Sequence, residues 1–138
     1  MHKEDLKQVS RFRAREARIL YEHGRFDGAY YLLGYAIECS LKSCIASQVK
    51  KDTMPNKKLT NNFYTHDLEN LLGLSGLKQQ FESDCKANND LKINWAVVIN
   101  WSETTRYNHG ISWRETKDFF DAVQDKQSGV LTWVMKYW

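Results

Sequence analysis

At 138 residues, with 42% hydrophobic and 27% charged side chains, the chain is sized for one domain with its own core, spanning 1–138. A single proline and seven glycines exclude a turn-rich β protein and favour long helices. Twenty Lys and Arg against seventeen Asp and Glu leave a net charge of +3, which permits an anionic partner without requiring one, so the placement of the charge matters more than its sum.

Cys39, Cys44 and Cys85 are odd in number and form no Cys-x-x-Cys pair, which argues against a disulfide framework or a zinc site. The histidines show no metal-ligand spacing, so neither a metal nor a cofactor is expected. The charged start (His2, Lys3, Glu4, Asp5) does not read as a secretory signal, and no apolar run reaches membrane-spanning length. The expectation is a cytoplasmic protein with no membrane association.

From Lys3 to His23 the pattern is helical, with Leu6, Val9, Arg13, Ala17 and Leu20 on one face. Lys7, Arg11, Arg15 and Arg18 share another, and Phe12 and Ile19 form an extra apolar stripe suited to dimerisation. Gly24 ends this helix. A second helix runs from about Phe26 to Gln48. Its wide apolar face is Phe26, Ala29, Tyr30, Leu33, Ile37, Leu41 and Cys44, and Leu32, Ala36, Cys39 and Ser43 make a smaller stripe. Two buried stripes mark the centre of a bundle. Glu38 and Lys42 stand at i,i+4 in the favourable order for an ion pair.

Between Val49 and Tyr64 the pattern lapses into a basic loop with Lys50, Lys51, Lys57 and Lys58. Thr65-His66-Asp67 supplies helix-capping side chains for a short helix through Leu68, Leu71 and Leu72, punctuated by Gly73 and Gly76. A further piece spans Leu77 to Lys86. Leu91, Trp95, Val98, Ser102 and Thr105 keep helical spacing, so one helix is expected over this stretch, ending at Asn108-His109-Gly110. Ser112-x-x-Glu115 is a capping box that opens a last helix carrying Phe120, Val123, Val130, Leu131, Val134 and Trp138, with a kink at Ser128-Gly129. The pattern predicts an all-α, up-and-down bundle of about four to five helices.

No phosphate-cradling glycine loop, His-Glu-x-x-His or Gly-x-Ser-x-Gly is present. The densest chemistry lies in Trp101-Ser-Glu-Thr-Thr-Arg-Tyr-Asn-His109. Arg106 is permanently cationic and can fork donors onto a phosphate, and His109 is the residue type most easily tuned to move protons near neutral pH. Three readings follow from the residues. Arg106 and His109 can act as cation and base in metal-independent RNA cleavage. Arg106, Tyr107, Lys42 and Glu38 can line a cleft that holds a nucleotide or RNA, the arginine stripe extending it. Finally, the same groups can be scaffold, with His109 at a helix C-terminus and Glu38–Lys42 a structural ion pair, leaving an interaction module that docks a partner protein.

The run Ala29-Tyr-Tyr-Leu-Leu-Gly-Tyr-Ala-Ile-Glu38-Cys-Ser-Leu-Lys42 resembles the second helix of HEPN domains. Thr65-His66-Asp67-Leu68 is similar to the start of their third helix, and Thr104-Thr105-Arg106-Tyr107 to the Arg-Tyr segment ending their fourth. The resemblance implies a HEPN-like bundle that forms a homodimer and binds nucleotide or RNA, or cuts RNA, in a toxin–antitoxin or defence setting, with a nucleotidyltransferase-type antitoxin as partner. HEPN ribonucleases separate their arginine and histidine by about four to six residues, whereas only Tyr107 and Asn108 separate Arg106 from His109 here. The first expectation is therefore a non-catalytic nucleotide- or RNA-binding domain.

Overall fold

The computed structural model describes residues 2–48, 63–107 and 109–138, apart from the side chain of Arg106. The basic loop expected between Val49 and Tyr64 falls on 49–62, outside the described residues, as does Asn108. Everything described is helix, turn or coil, without a strand. The elements are α1 (Lys3–Glu22), α2 (Phe26–Ala46), α3 (Leu68–Leu74), α4 (Lys78–Ala87), α5 (Asn89–Val98), a 3-10 helix (Glu103–Tyr107), α6 (Trp113–Gln124) and α7 (Val130–Met135).

The first two helices form an antiparallel pair. Gly24 adopts φ +73°, a left-handed conformation that costs a glycine little, and this reverses the chain. The pairing is tight along its length, from Leu20 against Gly28 to the Ser10 hydroxyl donating to the Ala36 carbonyl at 2.7 Å. Leu6, Ser10 and Ala17 are the buried residues of α1, so a small polar residue takes the place expected for Val9 and closes a backbone hydrogen bond instead of adding bulk.

Helix α2 is the centre of the bundle. From Leu33 to Ile45 every residue except Tyr35 is buried, including Glu38, Lys42 and two serines. Ser40 and Ser43 satisfy their hydroxyls by donating to carbonyls three residues back, as buried polar groups must. Around α2 lie α1, α3, α6, α7 and the 3-10 helix. Gly34 lets Trp101 seat directly on the α2 backbone, since a Cβ at position 34 would fall 2.1 Å from the indole nitrogen.

Two expected helices are each divided. The helix expected over Leu91–Thr105 ends at Val98, and the chain then turns through Trp101 into the 3-10 helix. Trp101 and Thr105 stay buried, so the apolar spacing persists although the backbone leaves the α conformation. Likewise the expected last helix breaks rather than kinks. The Asp125 carboxylate accepts from the backbone N–H groups of Gln127 and Ser128, closing a turn between α6 and α7. The capping predictions hold: Asp67 accepts from Asn70 N, and Ser112 accepts from Glu115 N at 3.0 Å.

Asn88 accepts from Leu91 N to cap α5 and donates to the Ser128 hydroxyl, tying the α6–α7 turn to the α4–α5 junction. Asp84 fastens the last helix by accepting from Trp133 Nε1 at 2.8 Å and Tyr137 OH at 3.0 Å. Those donors hold its carboxyl below the usual value of 3.8, Trp133 contributing most.

Candidate functional site

The residues singled out from sequence separate into two groups. On α2, the Glu38 carboxylate is 1% exposed and divides its oxygens between two partners. Lys42 Nζ donates to Oε2 at 3.1 Å, and His66 Nδ1 donates to Oε1 at 2.8 Å from the segment leading into α3. Lys42 is itself buried, its ammonium lying 5.4 Å from the Phe63 ring centre. A buried carboxylate needs this kind of pairing and hydrogen bonding to remain in a protein interior. The cluster also acts on its neighbours. Burial, and after it the Glu38 charge, pushes the Cys39 thiol up to about 11. Cys39, and then burial, pushes the Tyr35 hydroxyl up to about 12. Neither group is an available nucleophile near neutral pH.

The Arg106–His109 segment lies elsewhere. Trp101 stands level with Gly34, and the chain then runs back toward the start of α2, where Gly110 and Ile111 donate their N–H groups to Asp27. Asp27 and Glu38 are separated by about 16 Å along the helix axis at 1.5 Å per residue. His109, adjacent to Gly110, is exposed and far from the Glu38–Lys42–His66 cluster. Tyr107 is 67% exposed on the 3-10 helix, and Arg106 has its backbone in the same helix. The structure thus joins Glu38 and Lys42 to each other and to His66, but not to His109. Among the described residues no group of three or more His, Cys, Asp or Glu is placed to hold a metal ion.

A second surface is better disposed toward an anion. Arg11, Arg15 and Arg18 line one wall of a groove of about 500 Å³ between α1 and α7, with Trp138, Met135 and Leu131 on the other. None of the groove-lining side chains is a carboxylate, and none of the three arginines forms an ion pair among the described residues. Aromatic rings lie beside all three: Arg11 Cζ is 5.0 Å from the Trp138 ring centre, Arg15 Cζ 5.9 Å from that of Phe12, and Arg18 Cζ 5.0 Å from that of Phe120. Arg18 also donates to Gln124 Oε1 at 2.6 Å. Lys7 stands at the same end, 5.7 Å from Trp138, with its charge shared by Glu4. Beyond Arg18 the surface continues past Lys117 and Lys126, where Asp121 and Asp125 balance the charge.

The periodicity of the arginines was visible in the sequence. The opposite wall was not, because Trp138 and Met135 reach α1 only through the α6–α7 turn. His66 as partner of Glu38 was similarly hidden, since its Thr-His-Asp context signals capping and its acceptor lies 28 residues away.

No protein-family model matches the chain, and neither a curated protein nor a solved structure matches it. Among the described residues, no helix is long and apolar enough to cross a membrane.

Proposed function

We propose that this chain is a non-catalytic RNA-binding domain on a HEPN-like helical bundle, gripping a single strand in the groove between α1 and α7. The observation that carries the reading is the row Arg11, Arg15 and Arg18, which faces a groove lined by no Asp or Glu side chain and walled by Trp138. Guanidinium groups fork onto phosphate oxygens, and an adjacent aromatic ring gives a base a stacking surface. Arginines left without carboxylates carry positive charge that counter-ions must screen, and their release favours binding of a polyanion.

The choice of RNA over other polyanions rests on the HEPN resemblance, as does the toxin–antitoxin or defence setting with a nucleotidyltransferase-type partner. The non-catalytic half rests on the spacing of Arg106 and His109, which only Tyr107 and Asn108 separate, against about four to six residues in the HEPN ribonucleases. A homodimer belongs to the same reading, supported by Phe12 and Ile19, which are 41% and 57% exposed on α1. A monomer mass in light scattering at micromolar concentration excludes that dimer.

The test is a mobility shift with a single-stranded RNA oligonucleotide, run beside a cleavage assay on the same RNA. Wild type shifts the RNA and leaves it intact, and Arg11→Ala/Arg15→Ala weakens the shift. RNA cleavage abolished by Arg106→Ala or His109→Ala overturns the non-catalytic reading in favour of an endonuclease. Absence of any shift overturns RNA binding and leaves a protein-interaction module.

A further inference from the structure

Two polar side chains in the arginine groove have only one hydrogen-bonding role each left to offer. Gln124 and Thr132 both line it, at the Arg18 end, roughly 10 Å along α1 from Arg11 at 1.5 Å per residue. Gln124 Oε1 accepts from Arg18 at 2.6 Å. Arginine only donates, so chemistry fixes the orientation of the amide, and Nε2 remains a donor with no partner among the described residues. Thr132 has the opposite commitment. Its hydroxyl donates at 2.8 Å to the carbonyl of Asp125, the residue after Gln124, so its oxygen has only lone pairs left. Both side chains are half-buried.

A fixed donor beside a fixed acceptor matches a hydroxyl, which accepts from the first and donates to the second. The bond to Arg18 says which hydroxyl. A phosphate held by Arg18 stands one side chain away from the Gln124 amide, where the sugar attached to that phosphate lies, while the stacking surface of Trp138 is at the other end of the row. Resting on the reading of this groove as a strand-binding site, we infer that Gln124 and Thr132 select RNA over DNA by holding one ribose 2′-hydroxyl. Gln124 Nε2 donates to the 2′-oxygen, and the 2′-hydroxyl donates to Thr132 Oγ1. This hydroxyl is the group by which a protein tells the two sugars apart at a given site. Arg11, Arg15 and Arg18 supply affinity for any single strand, and these two residues supply the discrimination.

The whole protein is titrated, with anisotropy as the readout, against labelled oligouridine and the same strand carrying 2′-deoxy or 2′-fluoro sugars. The fluoro sugar keeps an RNA-like ring pucker but has no hydroxyl to donate, so it separates hydrogen bonding from strand shape. Oligouridine is expected to bind roughly tenfold more tightly than either, the scale of two neutral hydrogen bonds. Thr132→Val, similar in shape but without the acceptor, narrows that ratio to about threefold, and Thr132→Ser restores it. Gln124→Leu/Thr132→Val removes the preference, whereas Arg11→Glu/Arg15→Glu weakens all three strands alike. Equal affinity for RNA and either modified strand overturns the inference and leaves the groove reading standing. So does an undiminished ratio in a folded Gln124→Leu/Thr132→Val variant. Binding of none of the strands overturns the groove reading, and the inference falls with it.

Discussion

Glu38 and His66 meet at 2.8 Å across 28 residues of sequence, joining the centre of α2 to the start of α3. The carboxylate is almost wholly enclosed, and the imidazole side chain keeps 44% of its exposure. Lys42 completes the arrangement from one turn further along α2. The three residues form a closed polar plug in an otherwise apolar helix face, and its energetics follow from burial.

Removing Glu38 alone strands a buried ammonium. Glu38→Ala is expected to destabilise the fold by about 3–5 kcal/mol, the range for breaking a buried ion pair by deleting one partner. Glu38→Leu combined with Lys42→Met removes both charges and recovers most of that loss. His66→Ala costs about 1 kcal/mol, because water reaches the vacated position. Urea unfolding of the variants checks the order. Equal destabilisation by Glu38→Ala and the double substitution would show that Lys42 does not depend on Glu38.

Gly34 is fixed by Trp101. A methyl group at this position meets a buried, rigid indole, and no flexible side chain lies nearby to give way. Gly34→Ala is expected to lower stability by about 3 kcal/mol, the upper part of the overpacking range. Gly73 has open space around its missing Cβ, so Gly73→Ala serves as the control and leaves stability unchanged or raised. Thermal melts of the two variants decide the matter, and a Gly34→Ala protein as stable as wild type would refute the seating of Trp101.

Asp84 ties stability to acid pH. Its carboxyl is held below the usual 3.8 by Trp133 first, and also by Tyr137 and Gln80. A depressed folded-state value means the contribution is complete above the unfolded value and is lost as pH falls through the folded one. Wild type should therefore lose stability below about pH 4 more steeply than Asp84→Asn, which lacks this titration. Denaturant midpoints between neutral pH and pH 3 compare the two, and parallel curves would contradict the assignment.

The sequence made the elements legible where one face alone determined them. Helices α1 and α2, the caps at Asp67 and Ser112, and the Glu38–Lys42 pair are all local features with fixed spacing. The missed boundaries share a physical cause. Trp101 and Thr105 remain buried beyond the end of α5, so apolar spacing registered burial and not the helix. Asp125 closes a turn through its own side chain, which makes Ser128-Gly129 a break. Contacts across long separations left no trace in periodicity: His66 with Glu38, Trp133 and Tyr137 with Asp84, and Trp138 with Arg11. The arginine row was legible as a stripe, but the groove became visible only once α7 was folded against it.

The central claim is that Arg11, Arg15 and Arg18 hold the phosphates of a single RNA strand. Its most direct test is the salt dependence of affinity for a fluorescent single-stranded RNA, measured by anisotropy on wild type and on Arg11→Glu/Arg15→Glu, with circular dichroism verifying the fold. About three phosphate contacts predict a log–log slope near −2 for wild type. The variant should bind more weakly at every salt concentration, and its slope should be shallower by at least about one unit. A folded variant with unchanged affinity and unchanged slope would contradict the account.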